Sequence, residues 1–151
     1  MSVHPSSPTS GSTDGLDSQP AQMPSLFNRM APIYDAVGPG CFARFGERLV
    51  AFAGVQAGED LIDLATGRGA WLVPAAGQVG STGLVIGIDV SDEMLRLTRA
   101  AVTEQDHATP IRLQEMDAGH LTFEDHAFHV ALCGFGLMFF ADPPAALAGI
   151  R

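Results

Sequence analysis

Short apolar runs, each bounded by glycine, proline or polar residues, recur along the chain from about residue 60 onwards. Runs of this length and composition are typical of buried strands in a parallel sheet. Segments with apolar residues at helical spacing precede or separate these runs. The alternation predicts the α/β fold class, with a parallel sheet covered by helices. The predicted strands are 61–64, 83–89, 111–116 and 130–133, and the predicted helices are 42–55, 70–79 and 91–105.

The two ends of the chain differ in composition from the middle. Residues 1–24 are rich in Ser, Pro, Gly, Thr and Asp, and such a segment buries too little apolar surface to offset its ordering entropy. We therefore predict a disordered tail at 1–24 and one folded domain at 25–151, with Ser25 capping a first short helix. Pro74 predicts a late start or a bend in the helix around it, because a proline inside a helix removes a hydrogen bond. Residues 141–151 predict the start of a last helix.

The first predicted strand runs into a loop of small residues, Ala65-Thr-Gly-Arg-Gly69. A turn of this kind between a strand and a helix brings backbone N–H groups close to a nucleotide-like ligand. Asp63 is an acid inside an apolar strand, which is costly unless it is hydrogen-bonded, so we expect it to organise the loop. A dinucleotide fingerprint needs glycine where Leu72 stands, and a P-loop needs a lysine, which this chain lacks. The pattern favours a nucleoside ligand without a pyrophosphate.

Acidic or small residues also follow the other three strands. Asp89 ends the second strand, 20 residues after Gly69, a spacing at which a carboxylate accepts both ribose hydroxyls. A role of Asp89 as N-cap of the helix that Ser91 begins is compatible with this one. Asp117-Ala118 follow the third strand, and Gly134-Phe-Gly136 follow the fourth. Because open α/β sheets bind ligands at the carboxyl ends of their strands, these residues predict one shared site.

The ordered series of these motifs resembles the class I S-adenosylmethionine-dependent methyltransferases. Within them it is most similar to the C-methyltransferases of ubiquinone and menaquinone biosynthesis and their small-molecule relatives. The series comprises 61–69, Gly87-Ile-Asp89, Met116-Asp-Ala118 and Cys133-Gly-Phe-Gly136, and the resemblance extends from near Leu26 to the last residue. It implies a Rossmann-like sheet of seven strands. The four strands available here, in the implied order 3-2-1-4, would be the N-terminal part of that sheet, incomplete at its C-terminus.

The resemblance implies S-adenosylmethionine as the cofactor and gives roles to single residues. The 65–69 loop would bind the methionine part through backbone N–H groups, Asp89 the ribose, and Asp117 the adenine amino group. Tyr34 matches a Phe…Ala…Tyr-Asp segment that lies over the cofactor in this family, and Phe135 would form a wall near the sulfonium. Packing roles for Tyr34 and Phe135, and a turn role for Asp117, remain open. The implied cofactor-binding residues are Tyr34, Asp63, Ala65, Gly67, Gly69, Asp89, Val90, Asp117, Ala118 and Gly134.

Charge and composition narrow the classes of partner. The net charge is −9, from 8 arginines against 17 acids, which argues against nucleic acid and anionic membrane surfaces. No apolar run is long enough to span a membrane and the first residues lack a signal-peptide pattern, which predicts a cytoplasmic protein. Cys41 and Cys133 are predicted to be reduced. The spacing of His120, His126 and His129 fits no metal-ligand pattern, so we predict no metal site.

The sequence thus predicts methyl transfer from S-adenosylmethionine to an O, N or C atom of a small-molecule acceptor. No residue can be named as a general base. The alternative is a truncated, non-catalytic remnant that binds the cofactor weakly or acts only in a complex. A dinucleotide-binding dehydrogenase module is a third interpretation, and Leu72 counts against it. The fourth strand is expected to be an unpaired apolar edge, through which the chain could form an oligomer.

Overall fold

The computed structural model describes residues 19–36, 40–105 and 107–150. The strands are β1 (Asp60–Leu64), β2 (Leu84–Asp89), β3 (Ile111–Glu115) and β4 (Val130–Leu132). The α-helices are α1 (Gln19–Met30), α2 (Cys41–Ala53), α3 (Leu72–Val79), α4 (Asp92–Glu104) and α5 (Pro143–Ala148). Short 3-10 helices lie at Ala31–Ala36, Gly80–Thr82 and Leu137–Phe139. The strands form one parallel sheet in the predicted order, β3-β2-β1-β4.

Strand β1 lies inside the sheet, between β2 and β4. Ile62 is in register with Ile86 on one side and with Ala131 on the other. Successive side chains of a strand point to opposite faces, so Leu61 joins the core on one face while Ile62 and Leu64 join the core on the other. Both faces of the sheet are therefore covered, which explains why the strands read as continuous apolar runs.

Helix α1 begins at Gln19, six residues before the predicted start of the folded domain at Ser25. Ser25 therefore lies inside a helix and is not an N-cap; its hydroxyl donates a hydrogen bond of 3.0 Å to a backbone carbonyl one turn earlier. Residues 19–24, which the sequence assigned to a disordered tail, belong to α1, and residues 1–18 lie outside the described chain. Helix α1 packs against α4, a contact that local composition does not reveal.

The starts of the later helices follow local rules. Helix α3 begins at Leu72, two residues later than predicted, so Pro74 occupies the first turn, where an N–H has no intrahelical partner to lose. Ser91 caps α4 as predicted, since its hydroxyl oxygen accepts a hydrogen bond of 3.1 Å from the Met94 amide. Asp142 caps α5 in the same way, and that helix ends at Ala148.

The spacing of apolar residues in α2 predicts one buried side that carries Phe45, Leu49, Val50 and Phe52. Val50 is buried, whereas Phe52 is 90% exposed and Phe45 is also exposed. The helix packs chiefly on α3 and its preceding turn through Gly46, where a Cβ would collide with the Ala70 carbonyl oxygen. This close approach fixes the rotation of the helix and leaves the two phenylalanines outside.

Three further features of the described chain concern the pairing of β4, the cysteines and the apolar length of the helices. Among the described residues β4 pairs with β1 alone, so its other side carries no strand. Cys41 and Cys133 are both free thiols. No helix within the described ranges combines the length and the apolar character needed to cross a bilayer.

Candidate functional site

A cavity of about 560 Å³ lies where the carboxyl ends of the strands meet, and its size is typical of a small-molecule site. Residues that end or follow each of the four strands form its floor and walls. The segment 19–36, here called the N-terminal segment, contributes the cover. The lining residues are Met23, Pro24, Phe27, Tyr34, Ala65, Gly67, Asp89, Val90, Met94, Glu115, Met116, Asp117, Ala118, Gly134, Phe135, Gly136, Phe139, Phe140 and Ala141.

The loop 65–69 has a backbone that few residue types adopt. Ala65, Gly67 and Gly69 all have positive φ, of 53°, 52° and 81°. Glycine adopts this region freely, but alanine does so at a cost, and such backbone outliers concentrate at binding sites. Thr66 donates its amide N–H to the Ile88 carbonyl at 2.9 Å, and Thr98 donates its hydroxyl to the Gly67 carbonyl at 2.8 Å. These bonds hold the loop against β2 and α4, with Ala65 and Gly67 at the cavity.

Asp63 lies beneath this loop and is completely buried. Its Oδ2 accepts a hydrogen bond of 2.6 Å from the Thr66 hydroxyl, whereas Oδ1 has no hydrogen-bond partner among the described residues. Burial raises the pKa of Asp63 to about 7; the bond from Thr66 opposes this rise, and the negative charge of Asp89 adds to it. The geometry agrees with the expectation that Asp63 organises the loop, because the side chain it holds is in the loop itself.

Asp89 ends β2 and faces the cavity while two backbone amides hold its carboxylate. Gly67 donates to Oδ2 at 2.8 Å, and Ser91 donates to Oδ1 at 2.9 Å. Burial raises the pKa of Asp89, and the hydrogen bonds from Ser91, Gly67 and Val90 lower it in part. A carboxylate offers about four lone-pair sites, so both oxygens can still accept ligand hydroxyls. Ser91, and not Asp89, is the N-cap of α4. The Asp89 carboxylate instead contacts the loop 65–69 and lines the cavity.

Aromatic rings from the N-terminal segment and from the residues after β4 form a further part of the cavity wall. Tyr34 stacks on Phe42, with centroids 5.2 Å apart and an interplanar angle of 10°. Phe27 packs edge to face on Phe139 at 5.2 Å, and both line the cavity. Burial is the main cause that raises the pKa of Tyr34, followed by the charges of Asp89 and Asp35, so the phenol stays protonated at neutral pH. The site therefore combines a polar half with an apolar, aromatic half.

Asp117 and Ala118 follow β3 and both line the cavity. Asp117 also makes a local turn: Oδ1 accepts from the Gly119 amide at 2.9 Å, and Oδ2 lies 3.1 Å from His120 Nδ1. The turn role and a ligand role are compatible, since these contacts leave further lone pairs free. Gly134 follows β4 and lies so close to Trp71 that a Cβ would overlap the indole ring.

Two polar connections attach the N-terminal segment to the rest of the site. Arg68, in the loop 65–69, donates from Nη1 to the Ala31 carbonyl at 2.9 Å, and its Nε lies 3.6 Å from Asp35 Oδ2. At the other end, Asn28 Oδ1 accepts from the Ser91 hydroxyl at 2.5 Å. The cover of the cavity is thus tied to the two elements that form its polar half.

Eight of the ten predicted cofactor-binding residues line the cavity; Asp63 and Gly69 do not. Asp63 acts from below the loop, and Gly69 packs on Thr98, where a Cβ would contact the threonine methyl group. Sequence reasoning missed several lining residues because their signals are weak: two were assigned to the tail, and the others are apolar or lie at strand ends without a motif. The missed residues are Met23, Pro24, Met94, Glu115, Phe139, Phe140 and Ala141.

His129 makes two hydrogen bonds with the first residue of β1. Its Nδ1 accepts a hydrogen bond of 3.0 Å from the Asp60 amide, and its own amide donates to the Asp60 carbonyl at 2.8 Å. These bonds close the start of β1, at the opposite end of the strand from the cavity. Within the described ranges no cluster of histidine, cysteine and acidic side chains has the arrangement of a metal site.

Comparison with known proteins identifies the family of this chain. A family model described as a methyltransferase domain matches residues 61–151, more than half of the chain. Nocamycin O-methyltransferase of Saccharothrix syringae is 37% identical over 82% of this chain and 44% of its own length. Aklanonic acid methyltransferase DauC of a Streptomyces species is 35% identical over 84% and 57%, and demethylmenaquinone methyltransferase of Lactiplantibacillus plantarum is 33% identical over 83% and 54%. The chain spans about half the length of these curated relatives.

Solved structures share the fold. A methyltransferase from Aquifex aeolicus that depends on S-adenosylmethionine superposes with a TM-score of 0.64 at 20% identity, over 83% of this chain and 63% of that one. The [4+2]-cyclase SpnF superposes with a TM-score of 0.73 at 19% identity, over 85% and 54%. The chain belongs to the class I S-adenosylmethionine-dependent methyltransferases. The family's cofactor is therefore S-adenosylmethionine, and the predicted resemblance is confirmed.

The residues of the cavity fit this cofactor chemically. A ribose needs hydrogen-bond acceptors, which Asp89 offers at the end of β2. An adenine amino group is a donor, and the acid Asp117 stands at the end of the neighbouring strand. A sulfonium carries positive charge, which the carboxylates and aromatic rings of the wall favour.

Proposed function

We propose that this chain binds S-adenosylmethionine in the cavity and transfers its methyl group to a small-molecule acceptor. The main support is Asp89, whose carboxylate is held at the cavity by the amides of Gly67 and Ser91. In that arrangement Asp89 would accept the ribose hydroxyls beside the positive-φ loop 65–69. The alternative of a non-catalytic remnant uses the same cavity but binds the cofactor weakly or acts only in a complex.

The proposed roles of the chain's residues are binding and alignment. The bound cofactor supplies an electrophilic methyl group, so the protein mainly has to place the acceptor in line with it and exclude water. Backbone N–H groups of the loop 65–69 would bind the methionine part, and Asp89 and Asp117 would hold the ribose and the adenine. Tyr34 and Phe27, from the N-terminal segment, would close the cavity against solvent.

The proposed acceptor is an uncharged or cationic small molecule. None of the described lining residues carries a positive charge, whereas Asp89, Glu115 and Asp117 carry carboxyl groups. An anionic acceptor would therefore find no partner on this wall. The relatives named for nocamycin, aklanonic acid and demethylmenaquinone support a small organic acceptor. One of these names is that of an acid, so the charge argument rests on the cavity of this chain alone.

Cofactor titration tests the proposal. Calorimetry of the chain should show binding of S-adenosylhomocysteine and no binding of NAD. Asp89→Ala should weaken S-adenosylhomocysteine binding by roughly 1.5–3 kcal/mol, the scale of hydrogen bonds to a charged group, or about 10- to 150-fold in Kd. Asp92→Ala removes an equally charged side chain three residues further on, outside the cavity, and should leave Kd unchanged.

Three results would contradict the proposal or part of it. Binding of NAD without binding of S-adenosylhomocysteine would favour the dinucleotide interpretation, and an unchanged Kd in Asp89→Ala would remove that residue from the site. Binding of S-adenosylmethionine without methyl transfer to any acceptor in a screen of small phenols, amines and quinones would favour the non-catalytic alternative.

A further inference from the structure

Thr98 lies in the middle of α4 and makes a hydrogen bond that leaves its own helix. A threonine inside a helix often donates its hydroxyl to the backbone carbonyl four residues earlier. Thr103 of the same helix does so, with a bond of 2.8 Å to the Arg99 carbonyl. Thr98 is completely buried, and its hydroxyl donates instead to the Gly67 carbonyl at 2.8 Å. The hydroxyl of Thr98 therefore serves the loop 65–69 and not α4.

The methyl group of Thr98 contacts the same loop. Gly69 has a φ of +81°, and a Cβ built on it would come 2.9 Å from the methyl carbon of Thr98. The methyl group therefore packs directly on the Gly69 backbone, while the hydroxyl holds Gly67. Serine would supply the hydroxyl without the methyl group, and valine would supply methyl groups without the hydroxyl. Threonine is the residue type that makes both contacts with the loop.

Gly67 connects Thr98 with Asp89. Its carbonyl accepts from the Thr98 hydroxyl, and its amide donates to Asp89 Oδ2 at 2.8 Å. Its φ is +52°, and no atom of the described residues lies within 4 Å of the place where a Cβ would stand. Because packing on that side does not hold Gly67, its orientation depends on these two hydrogen bonds. A change at the carbonyl would therefore also move the amide that Asp89 accepts from.

Helix α4 thus reaches both oxygens of the Asp89 carboxylate. Ser91, the N-cap of the helix, donates its amide directly to Oδ1 at 2.9 Å. Thr98 reaches Oδ2 indirectly, through the two hydrogen bonds of Gly67. Positions seven apart lie on nearly the same side of a helix, so Ser91 and Thr98 face the site together. One helix therefore sets the plane of the carboxylate that ends β2.

We infer that Thr98 is a positioning residue for cofactor binding, which orients the Asp89 carboxylate through the backbone of Gly67. This inference rests on the proposed function, because Asp89 is the proposed acceptor for the ribose hydroxyls. Thr98 does not line the cavity and acts only through the residues that do. Hydrogen bonds weaken steeply when their angles are poor, so a rotated carboxylate would bind two neighbouring hydroxyls less well.

The test measures Kd in a cycle of variants by calorimetry. Thr98→Val removes the hydroxyl at nearly constant volume and should raise the Kd for S-adenosylhomocysteine about threefold to tenfold, the scale of one lost hydrogen bond. In the Asp89→Ala background the same change should alter Kd by less than about twofold, because the group on which Thr98 acts is absent. Methylthioadenosine keeps the ribose and the adenine but lacks the amino-acid part, and Thr98→Val should weaken its binding to the same extent.

Two further variants separate positioning from packing. Thr103→Val removes the hydroxyl that bonds within α4 on the exposed side, and it should leave Kd unchanged. Thr98→Ser keeps the hydroxyl and loses the methyl contact with Gly69, so its Tm should fall. Its Kd should nevertheless stay within about twofold of the wild-type value, because the hydrogen bond to Gly67 remains. Affinity would then follow the hydroxyl and not the stability of the variant.

Several outcomes would overturn the inference. An unchanged Kd in Thr98→Val would do so, as would a loss that persists in full in the Asp89→Ala background. Weaker binding of S-adenosylhomocysteine but not of methylthioadenosine would place the effect on the methionine part and also refute it. If neither Thr98→Val nor Thr98→Ala unfolds cooperatively, Thr98 is a folding residue and the inference is wrong. All these outcomes leave the proposed function intact, whereas failure of the wild-type chain to bind S-adenosylhomocysteine would refute both.

Discussion

At the scale of single residues, Asp63 carries the largest electrostatic cost in the site. The carboxyl is completely buried, it has one hydrogen-bond partner in the described chain, and it stands near the charge of Asp89. Burying a charged carboxylate is unfavourable, so the group takes up a proton more readily than in water. That explains how an acid can lie inside β1 at neutral pH.

The titration of Asp63 predicts a pH-dependent stability. Its pKa rises from 3.8 in the unfolded chain to about 7 in the fold, so between these values the folded chain holds a proton that the unfolded chain has released. The free energy of unfolding should therefore fall as pH rises from about 4 to 7, by roughly 4 kcal/mol at about 1.4 kcal/mol per pKa unit. Asp63→Asn should remove most of this slope, measured by urea unfolding at intervals across the range.

The control for this prediction is Asp125→Asn, an exposed acid of the same type, which should keep the wild-type slope. The raised pKa of Asp89 contributes a slope of the same sign, so Asp63→Asn should retain a smaller dependence on pH. If the two slopes of wild type and Asp63→Asn are equal, then Asp63 does not change its protonation state in this range.

Most of the polar half of the site could be predicted from single residues. Asp63 and Asp89 stand out in the sequence because acids are rare in apolar strands, and glycines mark the loop between β1 and α3. The aromatic half of the site was less predictable from the sequence than the polar half. The positive φ of Phe135 depends on contacts of Gly134 and Gly136 with residues distant in the sequence, and no local pattern contains that information.

At the scale of elements, the strands were predictable and the cover of the cavity was not. Each strand is an apolar run of its own, and the parallel order follows from the motif series at the strand ends. Helix α1 has a polar sequence with Pro24 inside it, and its position depends on a hydrogen bond that the Ser91 hydroxyl, 63 residues away, donates to Asn28. Intrinsic helical propensity predicts a helix poorly where tertiary packing determines whether the helix forms.

The N-terminal segment should respond to cofactor binding, because both of its anchors reach residues of the polar half. Arg68 holds the Ala31 carbonyl from the loop 65–69, and Asn28 accepts from Ser91, whose amide holds Asp89. We predict that S-adenosylhomocysteine protects the segment from trypsin cleavage after Arg29. Cleavage of Arg68→Ala and Asn28→Ala should be about threefold to tenfold faster in the bound state, from the loss of about one hydrogen bond each.

A matched control for this measurement is Gln22→Ala, on the exposed surface of the same helix. It should be cleaved at the wild-type rate with and without S-adenosylhomocysteine. The exposed Asp35 should contribute little to the effect of Arg68, since surface ion pairs are weak. Equal cleavage of wild type and both anchor variants in the bound state would show that these bonds do not hold the cover.

At the scale of the whole molecule, an open sheet edge and exposed apolar residues lie on the same part of the chain. Within the described residues β4 pairs with β1 alone, and the segment that follows it exposes Met138 at 69% and Leu147 at 52%. Unpaired edges and apolar surfaces of this kind favour association. The net charge of −9 opposes association in general, but charge repulsion is screened at physiological salt.

We therefore predict that the 151-residue polypeptide associates through this surface when it is expressed by itself. Light scattering after size exclusion should show a mass that rises with concentration. Met138→Lys combined with Leu147→Lys should shift the population towards monomer, because each change places a charge where the surface would be buried. Phe52→Lys alters a residue that is 90% exposed on α2, and it should leave the association unchanged. A monodisperse wild-type monomer at all concentrations would contradict the prediction, and so would dissociation by Phe52→Lys alone, which would place the contact on α2.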